Sequence, residues 1–254
     1  MSRDMGPTIS ILRPRTATDR LVLALDTASL ERAESLSRLL YGRIGMVKVG
    51  LELFSAQGPR SVSAFRDMGL PVFLDLKLHD IPSTVMAAAS QAARMGVSFL
   101  TVHASGSTAM IEAAVQGAID GAASSNVEPP SILAVTVLTS MDEGSVHEVG
   151  LMGSPEAVVR RLARLAVAAG ASGLVCSVKE SAVVREEVGS APLIFTPGIR
   201  FSEASDDDQA RIATPADAVA AGADYLVIGR PIRNAPDPLA SVDAIVRSLS
   251  SPEP

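Results

Sequence analysis

Two opposite charges alternate with leucines in an apolar stretch near residue 75. Asp75 and Lys77 stand between Leu74, Leu76 and Leu78, and the two-residue period of a β-strand predicts that both charges lie on one face. A buried charge is costly unless it is paired, so the pattern predicts a carboxylate–ammonium pair. A fixed ammonium beside a bound molecule can stabilise developing negative charge and can donate a proton.

Two further charges belong to the preceding apolar stretches. Asp26 closes the first stretch and Lys48 lies within the second. If these strands adjoin the strand of Asp75 and Lys77, four charges of alternating sign meet. A salt-bridge network with a purely structural role is the alternative interpretation. We favour a functional site, because charge clusters of this kind in a cleft are typical of one.

Glycine–arginine pairs follow the last two apolar stretches. Gly198 precedes Arg200 by two positions, and Gly229 is followed directly by Arg230. Glycine lets a ligand approach the backbone closely, and an arginine fork binds phosphate through paired hydrogen bonds. In α/β barrels the loops after the last two strands often bind phosphate. A phosphorylated substrate is therefore predicted.

Composition narrows the class of protein. The formal net charge of −6 and the aromatic content of 3% argue against nucleic-acid binding, and no apolar run is long enough to span a membrane. One cysteine and three histidines are too few to make a cysteine- or histidine-based metal centre a good candidate. A divalent ion near Asp75, His79 and Asp80 is an alternative, against which the charge of Lys77 counts. We predict a cytoplasmic protein without a metal, and we leave open whether His103 belongs to the site or is structural.

Eight short apolar stretches recur along the chain, as expected for parallel strands buried on both faces. They span residues 20–26, 46–50, 71–78, 99–104, 131–138, 173–177, 193–198 and 225–230. Helix start signals lie between them, at Ser29, Pro82, Ser154 and Thr214.

This alternation predicts an α/β fold, a single (β/α)8 TIM barrel over residues 20–250, preceded by a flexible N-terminal tail over residues 1–19. An open doubly wound sheet is the alternative, but the Gly-x-Gly-x-x-Gly turn expected after its first strand is absent. A barrel carries its active site at the carboxyl ends of the strands, where the charges described above are found.

These motifs together resemble the orotidine 5'-phosphate decarboxylase family, in its bacterial form. The most specific match is the run FLDLKLHDIP at residues 73–82. Supporting motifs occur in the family's order at residues 25–26, 47–50, 102–106, 137–140, 196–200 and 227–230. The resemblance extends from about Leu21 to Ile232, and the N-terminal tail lies outside it.

The resemblance implies decarboxylation of orotidine 5'-phosphate to UMP, the last step of de novo UMP biosynthesis, by a homodimer that uses no metal and no organic cofactor. Lys77 is the implied proton donor to carbon 6 of the pyrimidine. The implied catalytic array contains Lys48, Asp75 and Lys77 with Asp80 from the partner subunit. The implied substrate contacts are Asp26 and Lys48 at the ribose, Thr84 from the second subunit, Thr139 near the pyrimidine, and Arg200, Gln209, Gly229 and Arg230 around the phosphate.

Two other functions compete with this one. A sugar-phosphate lyase of the hexulose-phosphate synthase or ketogulonate-phosphate decarboxylase type also resembles the chain in its Asp-x-Lys-x-x-Asp element, which Asp75, Lys77 and Asp80 fit. Such enzymes typically use magnesium, and the His-Asp-Ile-Pro run favours the pyrimidine substrate. A non-catalytic sensor of a phosphorylated ligand is the second alternative, and the presence of Lys77 counts against it.

Overall fold

The eight predicted strands close into one parallel barrel in chain order, which confirms the predicted (β/α)8 fold. The structure, a computed structural model, describes residues 9, 11–199 and 213–250. The strands are β1 (Leu21–Ala24), β2 (Met46–Gly50), β3 (Val72–Leu78), β4 (Phe99–His103), β5 (Ser131–Val135), β6 (Gly173–Val175), β7 (Leu193–Pro197) and β8 (Tyr225–Ile228). Pairing of β1 with both β2 and β8 closes the barrel, so the open doubly wound sheet is excluded.

Helices surround the strands. Over the described residues they are α1 (Leu30–Leu39), α2 (Leu51–Gln57), α3 (Arg60–Arg66), α4 (Pro82–Arg94), α5 (Thr108–Ser125), α6 (Glu143–Glu148), α7 (Pro155–Ala168), α8 (Val178–Val188), α9 (Pro215–Ala220), α10 (Arg230–Arg233) and α11 (Pro238–Ser250). The four predicted start signals are confirmed. The side chains of Ser29, Ser154 and Thr214 accept backbone N–H bonds at the starts of α1, α7 and α9, and Pro82 is the first residue of α4.

The barrel interior is apolar toward the amino ends of the strands and charged at their carboxyl ends. Near the amino ends of the strands, the rings of Phe73, Phe99, Phe195 and Tyr225 fill the interior, with Phe195 and Tyr225 stacked at a centroid distance of 4.4 Å. These rings pack in a separate apolar cluster from the larger layer between strands and helices. The interior is therefore a solid core that closes the lower end beneath the polar strand ends.

The described part of the N-terminal segment is bonded to the barrel, whereas the sequence predicted a flexible tail over residues 1–19. The Tyr225 hydroxyl donates to the Leu12 carbonyl at 2.8 Å, and the Asp19 carboxylate accepts the backbone N–H groups of Arg15 and Thr16. These are isolated bonds from side chain to backbone, which leave no periodic signal in a sequence. The division of the chain at residue 20 stays a prediction.

Helices α4 and α5 lie unusually close together. A Cβ atom built on Gly117 would meet the Met86 carbonyl oxygen at 2.1 Å, and one built on Gly121 would meet the Ser90 carbonyl oxygen at 2.3 Å. Only glycine permits backbones to approach so closely. This contact fixes the position of α4, whose first turn follows directly from the charged end of β3.

Candidate active site

A cavity of about 620 Å³ opens at the carboxyl ends of the strands. The structure brings most of the predicted site residues to its wall. They are Asp26, Lys48, Asp75, Lys77, Thr139, Gly229 and Arg230. Their roles toward a substrate stay predictions, but their convergence on one cavity agrees with the strand-end argument.

Four of these side chains form a continuous row of alternating charge. The Lys77 Nζ atom lies 2.9 Å from both carboxylate oxygens of Asp75. The Lys48 Nζ atom lies 3.4 Å from the Asp75 Oδ2 atom and 3.3 Å from the Asp26 Oδ1 atom. Lys48 and Asp75 are buried, whereas the Lys77 side chain remains 28% exposed toward the cavity. The row therefore ends in an ammonium that a ligand can reach.

Asp75 is held in its charged form. Burial by itself raises the pKa of this carboxyl, but the charges of Lys48 and Lys77, with hydrogen bonds from Lys77 and Thr101, outweigh burial. The net result is a pKa below the ordinary value, so Asp75 is a carboxylate at neutral pH. A fixed negative charge thus lies beside the accessible ammonium.

The end of β3 departs from the regular strand that the sequence predicted. Strand β3 pairs with β4 at Leu74–Leu100 and next at Leu78–Val102, so residues 75–77 lie opposite the single residue Thr101. Lys77 has a φ of 51°, a left-handed conformation that is uncommon for a residue with a Cβ atom. The two charges do meet as predicted, but through a bulge in the strand rather than through unbroken alternation.

The cavity wall after β7 and β8, which adjoins the Asp26 end of the charged row, carries the residues predicted to bind phosphate. Gly198, with a φ of 83°, and the Gly229–Arg230 pair at the start of α10 line this wall. A Cβ atom on Gly229 would lie 3.2 Å from the Asp26 Oδ2 atom, so a larger residue would crowd the charged row. Arg200 and Gln209, predicted for the same side, lie outside the described residues.

Asp80 and Thr84 do not line the cavity of their own chain. Both are exposed, and the Asp80 carboxylate accepts the Ile81 backbone N–H at 2.6 Å. His103 lies half-buried near the row, with its ring centroid 5.4 Å from that of His79. Burial first, and then the nearby His79 and Lys77, lower the pKa of His103 despite the opposing effect of Asp75. His103 is therefore neutral at neutral pH.

Sequence reasoning missed two side chains that hold the site together. The Arg233 guanidinium on α10 donates to the Asp26 backbone carbonyl, which ties α10 to the start of the charged row. The Thr101 hydroxyl contacts both Asp75 and the backbone of Lys77. Thr101 alone could have been found from the sequence, as a polar residue at an inward position of β4.

The described part of the chain holds neither a metal-binding cluster nor a membrane-spanning helix. No group of three or more His, Cys, Asp or Glu side chains is placed to hold a metal ion there. No helix of residues 9, 11–199 and 213–250 is long and apolar enough to cross a membrane. Cys176 is buried in the core, and burial raises the pKa of its thiol to about 12, so it is a thiol at neutral pH.

Comparison with known proteins identifies the family of the chain. Residues 19–245 match the Orotidine 5'-phosphate decarboxylase / HUMPS family. The chain belongs to this family. Among its relatives, the orotidine 5'-phosphate decarboxylase of Anaeromyxobacter sp. (strain K) is 53% identical over 232 residues, 91% of this chain and 99% of that protein. The enzyme of the same name from Thermobifida fusca (strain YX) is 48% identical over 230 residues, 90% and 95% of the two chains.

Solved structures of other proteins share the fold. The crystal structure of orotidine 5'-phosphate decarboxylase from Lactobacillus acidophilus superposes with a TM-score of 0.81 at 35% identity, covering 94% of this chain and all of that one. A conserved protein from Geobacillus kaustophilus, described as uncharacterized, gives a TM-score of 0.79 at 37% identity. The resemblance inferred from residues 73–82 is therefore confirmed at the level of the family.

Proposed function

We propose that this protein decarboxylates orotidine 5'-phosphate to UMP, the last step of de novo UMP biosynthesis, in the cytoplasm and without a metal or organic cofactor. The observation that carries the proposal is the row Asp26–Lys48–Asp75–Lys77 at the cavity mouth. Beside the Asp26 end of the row, Gly229 and Arg230 line the same cavity and would bind the phosphate. The names of the close relatives support the same reaction.

The chemistry requires stabilisation of an unusual anion. Loss of carbon dioxide from carbon 6 leaves an electron pair in the plane of the pyrimidine ring, where the π system cannot delocalise it. In the proposed mechanism the Lys77 ammonium stabilises this pair as it forms and then donates a proton to carbon 6. Asp75, held as a carboxylate 2.9 Å from Lys77, fixes the ammonium and faces the departing carboxylate group.

Binding of the rest of the substrate is assigned to the other walls of the cavity. Asp26 and Lys48 would hold the ribose hydroxyls, and Thr139 would lie beside the pyrimidine. The proposed phosphate contacts are Gly229 and Arg230, together with Arg200 and Gln209 from outside the described residues. Binding energy gained at the phosphate, remote from the reacting carbon, would orient the ring against Lys77.

We also propose a homodimer in which each subunit supplies Asp80 and Thr84 to its partner's site. Both residues are exposed and neither lines its own cavity. Next to them Ile81 is 64% exposed and Met86 is 38% exposed, an apolar surface suited to a second copy of the chain. A twofold arrangement with facing cavity mouths would cover this surface and complete both sites.

One assay tests the reaction and separates it from the two alternatives. Purified protein treated with excess EDTA should convert orotidine 5'-phosphate to UMP, followed by the change in ultraviolet absorbance. Activity that is lost with EDTA and restored by magnesium would instead favour the sugar-phosphate lyase. UMP binding without any turnover would favour the non-catalytic sensor.

A further inference from the structure

Thr101 is a fully buried hydroxyl beneath the charged row. Its residue is 0% exposed, and it is not among the residues that line the cavity. The Thr101 Oγ1 atom accepts the Lys77 backbone N–H at 2.9 Å and donates to the Asp75 Oδ1 atom at 3.0 Å. One hydroxyl group thus contacts both members of the ion pair.

The bulge in β3 explains why a hydroxyl is needed at this point. Between the pairs Leu74–Leu100 and Leu78–Val102, three residues of β3 face one residue of β4, so the regular ladder of backbone bonds is interrupted. The Thr101 side chain supplies the acceptor for the Lys77 N–H in this gap. A buried backbone N–H without an acceptor would be destabilising.

The backbone of Lys77 also needs to be restrained. Its φ of 51° is unfavourable for a residue with a Cβ atom, and such a conformation persists only where surrounding contacts enforce it. This conformation determines where the Lys77 side chain begins and hence where its Nζ atom lies. The hydrogen bond from the Lys77 backbone N–H to the Thr101 hydroxyl restrains this backbone directly.

We propose that Thr101 is a positioning residue for the Lys77–Asp75 pair: it holds the left-handed backbone of Lys77 and orients the Asp75 carboxylate, so that the ammonium faces the reacting carbon. The inference rests on the proposed function for its catalytic consequence. Only a group that both donates and accepts can make the two contacts at once. Valine has nearly the shape of threonine and can make neither contact.

The first experiment compares steady-state kinetics of wild type, Thr101→Val, Thr101→Ser and Thr136→Val. Thr136 is the matched control, because it is a buried threonine directly after β5 whose hydroxyl donates to the Val175 carbonyl at 3.3 Å and has no described bond to the charged row. Thr101→Val should lower kcat by roughly 10- to 100-fold, since a small displacement of a reacting group costs that much. The KM for orotidine 5'-phosphate should change less than about threefold, because the phosphate and ribose contacts lie on other strands.

Restoration of the hydroxyl should restore the rate. Thr101→Ser should recover most of kcat, and Thr136→Val should keep it, even if both variants lose thermal stability. If Thr101→Val fails to fold, Thr101→Cys replaces it, because a thiol is only a weak donor and acceptor; its kcat should then fall below that of Thr101→Ser. An unchanged kcat in Thr101→Val or Thr101→Cys would overturn the proposal, as would a loss confined to KM.

A second measurement does not depend on turnover. The Asp75 carboxyl can be titrated by carbon NMR in the full-length protein, where it faces Lys48 on β2, Lys77 on β3 and His103 on β4, with Asp26 of the β1 end beyond Lys48. Loss of the Thr101 hydrogen bond should raise the pKa of Asp75 in Thr101→Val and leave it unchanged in Thr136→Val. An unchanged pKa in both variants contradicts the positioning role. If the wild-type protein does not turn over orotidine 5'-phosphate, that result contradicts only the proposed function.

Discussion

At the scale of single residues, the proposed reaction depends on where one ammonium lies. The chain has three lysines, and two of them, Lys48 and Lys77, belong to the charged row. Their carboxylate neighbours are arranged so that each ammonium touches Asp75. Of the two, Lys77 is the more exposed, which agrees with the proton transfer that the family resemblance implies for it.

Replacement of Lys77 by alanine should abolish turnover and preserve binding. Lys77→Ala removes the proposed proton donor and the proposed nearest cation to the developing anion. The value of kcat should therefore fall by far more than tenfold, a loss well above about 1.4 kcal/mol of transition-state stabilisation. UMP affinity, measured by calorimetry, should remain within an order of magnitude because the proposed phosphate contacts, Gly229 and Arg230, follow β8 rather than β3. Lys179→Ala, at an exposed lysine of α8, is the control. Turnover above about a tenth of wild type in Lys77→Ala would exclude Lys77 as the acid.

At the scale of elements, the contact between α4 and α5 is the packing feature most sensitive to substitution. Gly117→Ala should gain about 1 kcal/mol of helix propensity, yet its new Cβ would stand 2.1 Å from the Met86 carbonyl. The helices must separate, and overpacking of this kind typically costs about 1–3 kcal/mol. We therefore expect a lower midpoint of urea unfolding.

The matched control for that substitution is Gly144→Ala in α6. A Cβ atom on Gly144 would meet nothing closer than the Asp142 Oδ1 atom at 3.5 Å, so helix propensity should dominate and stability should be equal or higher. Equal midpoints for Gly117→Ala and wild type would show that α4 and α5 can move apart freely.

The sequence predicted the positions of the strands better than it predicted individual side-chain contacts. The apolar runs placed all eight strands because parallel strands buried on both faces need nearly continuous apolar residues, and the polar strand ends then located the cavity. The bulge of β3, the Arg233 bond to Asp26 and the path of residues 11–19 were not predictable. Each depends on a single side chain bonded to backbone far away in the chain, and such bonds impose no period on the sequence.

At the scale of the whole molecule, the proposed dimer predicts recovery of activity in mixtures of inactive variants. Homodimers of Lys77→Ala and of Asp80→Ala should both be nearly inactive. In a mixed dimer one site carries both defects, and the other combines an intact Lys77 with an intact Asp80 of the partner subunit. Random pairing of equal amounts makes about a quarter of all sites intact, so activity should rise toward that fraction.

Subunit exchange must be verified independently, for example with differently tagged chains recovered together. If exchange is complete and no activity returns, Asp80 acts within its own chain or has no role. Size-exclusion chromatography of Ile81→Asp gives a further check, because a charge on this exposed apolar residue should weaken the dimer.

Tyr225, whose hydroxyl donates to the Leu12 carbonyl, gives the protein an optical signal for the end of the barrel where the strands begin. The chain has two tyrosines and no tryptophan, so its near-ultraviolet absorbance change in alkali, at wavelengths where a thiolate does not absorb, reports phenol ionisation. Burial, with the nearby Asp19 and Asp224 carboxylates, raises the pKa of Tyr225 well above its ordinary value. The neutral phenol is thus favoured in the folded state, and its contribution to stability is complete below pH of about 10 and declines above it. In a spectrophotometric titration the Tyr225 tyrosinate band should emerge together with alkaline unfolding, and Tyr225→Phe should remove that component.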